Sequence, residues 1–130
     1  MTAGEINRGT HAVIGAAIEV HRHLSPGLLE SAYDECLGRE MTIRSIPFER
    51  QYPLPVEYKG VRLDCGYRLD YLVANQVVLE LKAVETILLV HEAQLLTYLQ
   101  LGGWQVGLLI NFNVEILKNG IFRKANGLQE

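Results

Sequence analysis

The chain has 130 residues, with 12 Lys and Arg against 15 Asp and Glu and a formal net charge of −3. Hydrophobic residues make up 48% and charged residues 21%, an ordinary globular mix that suits one compact domain over residues 1–130. This balance excludes a chromatin-type or coating protein, which needs surplus Lys and Arg to neutralise phosphates, and no apolar run is long enough to cross a bilayer.

The first ten residues, MTAGEINRGT, lack a basic start followed by an apolar core, so no signal peptide is expected. Cys36 and Cys65 have no CxxC spacing for zinc or an iron–sulfur cluster. Each has apolar neighbours and reads as a buried thiol in a reducing cytoplasm.

Residues 10–23 read as a helix, because Ala12, Val13, Ala16, Ala17, Val20 and Leu24 recur at spacings of three and four. Thr10 is the expected cap. The break at Leu24-Ser25-Pro26-Gly27 restarts a second helix, with Ser25 as N-cap, Pro26 at the first position and Leu24 and Leu29 as a hydrophobic staple. That helix runs to Met41, with Leu29, Ala32, Tyr33, Cys36 and Leu37 on its apolar face and Glu30 at the flank.

Residues 47–58 hold a first strand, with Gln51, Pro53 and Pro55 pointing to an irregular or edge position. After a turn at Lys59-Gly60, residues 61–73 alternate as one long strand. Leu69, Tyr71 and Val73 fall on one face, and Arg68, Asp70 and Leu72 on the other. A tight turn at Ala74-Asn75 leads to a third strand over 76–84, where Glu80 and Lys82 share a side and Val77, Leu79, Leu81 and Ala83 share the other. Residues 87–101 read as a helix with His91, Gln94, Tyr98 and Leu101 in one line, ended by Gly102-Gly103. The apolar run WQVGLLINF at 104–112 is a strand covered on both faces. From Asn113 the tail is amphipathic, with a turn at Gly120. Three consecutive strands favour hairpin pairing, and the helix before the last strand makes a crossover. The expected fold is therefore α/β, a mixed sheet with helices on both faces.

Charged Glu80 and Lys82 interrupt a strand otherwise made of Val, Leu and Ala, where a charge is costly unless paired. One reading is a salt bridge of Lys82 with Glu80 or Asp70. The other is a divalent-metal site that cuts nucleic acid. Mg²⁺ prefers oxygen ligands and takes one or two carboxylates beside water and phosphate oxygens. Asp70 and Glu80 suit that role, with the Leu81 carbonyl as a further ligand. Lys82 would then orient water and neutralise phosphoryl charge. Other residues carry paired alternatives: Glu30, site acid or helix-surface acid; His21 and His91, ligands or core histidines; Gln94, substrate contact or plain polar position; Tyr98, phosphate donor or packing; Arg68, phosphate binder or neutraliser of Asp70. Tyr33 reads as packing, with its hydroxyl tied to a polar neighbour.

Asp70, then Glu80-Leu81-Lys82, then Gln94-Leu-Leu-Thr-Tyr98 resembles the D…ExK…QxxxY pattern of the PD-(D/E)XK nuclease superfamily, especially its RecB-like branch. Gly27-Leu-Leu-Glu30-Ser-Ala-Tyr33 resembles the motif of the GxxExxY proteins placed there, and similar words run from Ile14 to Phe112. Leu69 stands where the superfamily's name has proline. The resemblance implies a restriction-endonuclease-like αβββαβ core. It also implies Asp70 and Glu80 as metal ligands for Mg²⁺ or Mn²⁺, Lys82 as catalytic, Glu30 as a helix-borne acid, and Gln94 and Tyr98 as supporting residues. The implied activity is phosphodiester hydrolysis in DNA or RNA by a cytoplasmic protein. The rivals are a catalytically silent nuclease-fold binding or regulatory module, and a subunit of a larger nucleic-acid-processing complex, with a homodimer as one form of assembly.

Overall fold

The computed structural model describes residues 2–127. Helix α1 spans Ala3–Leu24 and α2 spans Glu30–Ile43. Strands β1 (Phe48–Pro53), β2 (Val56–Tyr58), β3 (Val61–Leu63), β4 (Arg68–Val73) and β5 (Val77–Lys82) follow, then α3 (Leu89–Gly102) and β6 (Val106–Asn111). A short 3-10 turn at Leu117–Gly120 leads into β7 (Ile121–Ala125).

Five strands form one mixed sheet in the order β1-β4-β5-β6-β7. The β1–β4, β4–β5 and β6–β7 pairs are antiparallel, and β5–β6 is parallel. The parallel pair follows from the α3 crossover, which returns the chain to the starting end of the sheet. Helices α1 and α2 cover one face, where Val13, Ala17, Tyr33 and Leu37 pack with Tyr71, Leu79, Leu81 and Ile110. Helix α3 covers the other, where Leu95, Tyr98 and Leu99 pack with Leu69, Leu72, Val78 and Leu109. The expected core and its helix-flanked mixed sheet are present.

The structure corrects several expectations. Helix α1 starts a full two turns earlier, capped by Thr2, whose hydroxyl accepts from the Glu5 N–H at 3.1 Å. Thr10 lies buried inside the helix, its hydroxyl donating to the Asn7 carbonyl at 2.9 Å. Ser25 ends α1 in the left-handed region at φ 62° instead of starting α2, which begins at Glu30. No staple forms, because Leu29 is 79% exposed.

The strand expected over 61–73 is broken. Gly66 takes φ 80°, and its N–H donates to Asp64 Oδ1 at 3.0 Å, a side-chain turn that ends the alternation. The β2–β3 hairpin therefore forms its own two-stranded sheet, and Cys65 is exposed, not buried. Alternation also fails at Leu69, which packs under α3 although Tyr71 and Val73 face α1 and α2. The amphipathic tail contains β7, which pairs along β6 from Ile110–Ile121 to Val106–Ala125.

Candidate functional site

The site is built where β4 and β5 part. Their ladder runs from Val73–Val77 to Tyr71–Leu79, and one step further the two acids stand opposite each other. There, side chains replace the backbone ladder. The Asp70 N–H donates to Glu80 Oε2 at 2.8 Å, and the Leu81 N–H donates to Asp70 Oδ2 at 2.7 Å. Each carboxylate is thus held by the other strand's backbone and keeps its second oxygen, Oδ1 or Oε1, outside those bonds. On the far side of β4, the position facing Asp70 is Gln51, and the β1–β4 ladder skips it, with Gln51 at φ 52°.

Glu80 is only 9% exposed. Burial and the neighbouring charge of Asp70 push its carboxyl up to about 8, against the opposing pull of the Asp70 N–H and of Lys82. Burial also raises Asp70, while the Leu81 N–H bond works the other way. The pair therefore has two acids in a place that disfavours two negative charges. A cation between them would relieve that conflict.

Lys82 extends from the same side of β5 as Glu80. Its positive charge acts on Glu30, Asp70 and Glu80. Among the described residues, the ion pairs within 4 Å include none between Lys82 and Asp70 or Glu80. The end of β5 is fixed from β6. Lys82 is paired with Asn111 in register, and the Phe112 N–H donates to the Lys82 carbonyl at 2.9 Å. Asn111, 2% exposed, takes the Val84 N–H on Oδ1 at 3.1 Å and donates from Nδ2 to the Val84 carbonyl at 2.9 Å. Asn111 was missed in the sequence, although it is the one side-chain amide inside the run VGLLIN.

Glu30 opens α2. Partial desolvation first, then the charge of Asp70, raise its carboxyl. The motif around it has a clear structural purpose. The buried Tyr33 hydroxyl donates to the Ser25 carbonyl at 2.6 Å and accepts from the Leu28 N–H at 3.1 Å. Its ring stacks on Phe112, with centroids 4.7 Å apart. Gly27, at φ 103°, allows the loop to turn back. Tyr33 thereby ties the loop before Glu30 to the end of β6. One turn after Glu30, Asp34 accepts from the Tyr71 hydroxyl at 2.8 Å and from Arg50 at 2.9 Å, and it raises both Asp70 and Glu30. Sequence reasoning missed Asp34 too; its signal is the four-residue step from Glu30 along one helix face.

Helix α3 packs Tyr98 in one cluster with Leu69, the residue before Asp70. Burial and the charge of Glu80 raise its hydroxyl, while a hydrogen bond with the Gln94 side chain works the other way. Gln94 and Tyr98 line a cavity of about 410 Å³ with Val56, Tyr67, Thr97 and Leu101. Other candidates are placed elsewhere. His21 Nε2 lies 2.6 Å from the Val114 carbonyl, a structural bond. His91 Nδ1 accepts the Leu88 N–H at 3.0 Å and caps α3. Arg68 does not neutralise Asp70; it bonds the Tyr67 carbonyl at 2.8 Å and lies 3.8 Å from Asp64.

The donor set fits a hard divalent ion: two carboxylates with one free oxygen each, near a lysine. Among the described residues, no three His, Cys, Asp or Glu side chains are gathered closely enough to hold a metal ion by themselves.

The family model of the PD-(D/E)XK nuclease superfamily matches residues 7–124. No curated protein and no solved structure matches the chain.

Proposed function

The chain belongs to the PD-(D/E)XK nuclease superfamily, and from that premise we propose that it is a metal-dependent nuclease of the GxxExxY type, within the RecB-like branch, hydrolysing phosphodiester bonds in DNA or RNA. The observation that carries this reading is the reciprocal locking of Asp70 and Glu80 at the parting of β4 and β5. Those bonds fix the direction of both carboxylates before any ligand arrives, which is the preorganisation that catalysis by positioning needs.

Asp70 and Glu80 would hold Mg²⁺ or Mn²⁺. A divalent ion there supplies polarisation of the phosphoryl oxygen and a more acidic water. Lys82 sets its ammonium against the charge that grows on the phosphoryl oxygens. Glu30, with its raised carboxyl, exchanges protons at the rim of the site. Gln94 and Tyr98 offer hydrogen bonds to a phosphate oxygen from the α3 side. Asn111 acts on Lys82 only by holding the strand end.

The test is cleavage of mixed DNA and RNA substrates by the purified protein with Mg²⁺. Asp70→Ala, Glu80→Ala and Lys82→Ala should each abolish it while the chain stays folded. Cleavage that survives all three changes would place the activity elsewhere.

A further inference from the structure

The cavity between α3 and the start of β4 has a use that the carboxylate pair does not explain. It holds about 410 Å³ and is lined by Tyr67, Tyr98, Gln94, Thr97, Val56 and Leu101. Two aromatic rings face it, Tyr67 and Tyr98, with centroids 6.0 Å apart and planes tilted by 56°. They meet as a tilted pair, which leaves the face of neither ring covered by a parallel stack. Tyr67 is 44% exposed although it stands only three residues before Asp70. Covering that ring would remove apolar surface from water, which is favourable.

The groove adjoins the strand that carries Asp70, because Tyr98 packs in one cluster with Leu69, the residue before it. Two arginines lie nearby. Arg68 follows Tyr67, is bonded to its carbonyl and lies 3.8 Å from Asp64. Arg62 lines the adjoining hollow, which shares Leu101 with the groove. Yet the chain as a whole is acidic, with a formal charge of −3. Duplex binding leans on many phosphate contacts, and an acidic chain has few to offer. Single strands bind differently: exposed bases stack on aromatic rings, and only a few cations need to track the backbone.

We propose that this groove seats an unstacked nucleobase of single-stranded nucleic acid, with Tyr67 as its stacking face and Arg62 and Arg68 beside the adjoining phosphates. The assignment names the substrate class of the site and rests on the nuclease reading of Asp70 and Glu80. A base seated there places its neighbouring phosphodiester toward the carboxylate pair. Duplex DNA, whose bases are stacked and paired, cannot fill the groove without opening.

The experiment uses two readouts on the full chain. Binding is measured by fluorescence anisotropy with the Lys82→Ala variant, using a labelled oligothymidylate, a duplex of equal length and an abasic oligomer. Single strand should bind more tightly than duplex or abasic strand. Adding Tyr67→Ala should weaken single-strand binding by roughly tenfold or more, while Tyr67→Phe, which keeps the ring, restores it. Equal affinity for duplex and single strand, or single-strand affinity unmoved by Tyr67→Ala, overturns the proposal. The second readout is Mg²⁺-dependent cleavage by the otherwise unaltered chain. Cleavage that Lys82→Ala abolishes and Tyr67→Ala leaves intact on single strands keeps the nuclease reading and overturns the subsite. Tyr67-dependent single-strand binding without any cleavage keeps the subsite and overturns the nuclease reading.

Discussion

Asp70 and Glu80 hold each other in place: the Asp70 N–H donates to Glu80, and the Asp70 carboxylate accepts from the residue after Glu80. This crossed pair stands where the backbone ladder between β4 and β5 stops at Tyr71–Leu79. It fixes two acids side by side in a buried place, against the preference of either to carry charge there.

That conflict sets a pH dependence of stability. The Glu80 carboxyl is raised from the usual range near 4.5 to about 8 in the folded chain. Between those values the folded state holds a proton that the unfolded state has released. Stability is therefore highest below the unfolded value and falls as pH rises through the folded one. Urea unfolding in metal-free buffer should show a loss of a few kcal/mol (order of magnitude) between pH 5 and pH 8. Glu80→Gln should flatten much of that slope.

Asp70→Asn separates charge from hydrogen bonding. The amide oxygen can still accept the Leu81 N–H, so the fold should survive. Removing the Asp70 charge removes one cause of the Glu80 shift, so the pH slope should move to lower pH. Cleavage should be lost. A variant that unfolds, or one that keeps full cleavage, would contradict the role given to Asp70.

Asn111→Ala leaves the Val84 N–H and the Asn113 N–H without their side-chain acceptor, and leaves the Val84 carbonyl with only the longer bond from Asn113 Nδ2 at 3.4 Å. A buried polar group left unsatisfied costs about 1–3 kcal/mol, which urea unfolding would read. Activity should fall in kcat more than in KM, since the substrate contacts remain and only the Lys82 strand end loosens. Loss of KM alone would argue against this positioning role.

Tyr33→Phe keeps the stack on Phe112 and removes two bonds to the loop before α2. The expected cost is about 1–2 kcal/mol. Amide hydrogen exchange at Leu28 should quicken, and the Glu30 contribution to cleavage should weaken without loss of the fold.

The sequence made the centre of the molecule legible and the edges less so. Strand alternation was enough to put Glu80 and Lys82 on one side of β5, because Leu79 and Leu81 are bound to the core beneath α1 and α2. The stripe of Val13, Ala16, Ala17 and Val20 likewise revealed α1, though not its start, since Thr2 caps a first turn that carries few apolar residues. The break at Asp64–Gly66 was hidden by a pattern that alternates straight through it. Strand β7 was hidden because its burial comes from pairing with β6, not from its own periodicity. Asn111 and Asp34 matter through partners distant in the chain, Val84 and Tyr71, and no local spacing announces such pairs.

The most direct measurement is titration of Mn²⁺ followed by electron paramagnetic resonance. The account predicts one saturable site per chain, lost in Asp70→Asn and in Glu80→Gln and retained in Lys82→Ala. No saturable binding at millimolar Mn²⁺, or binding unchanged by both acid substitutions, would contradict it.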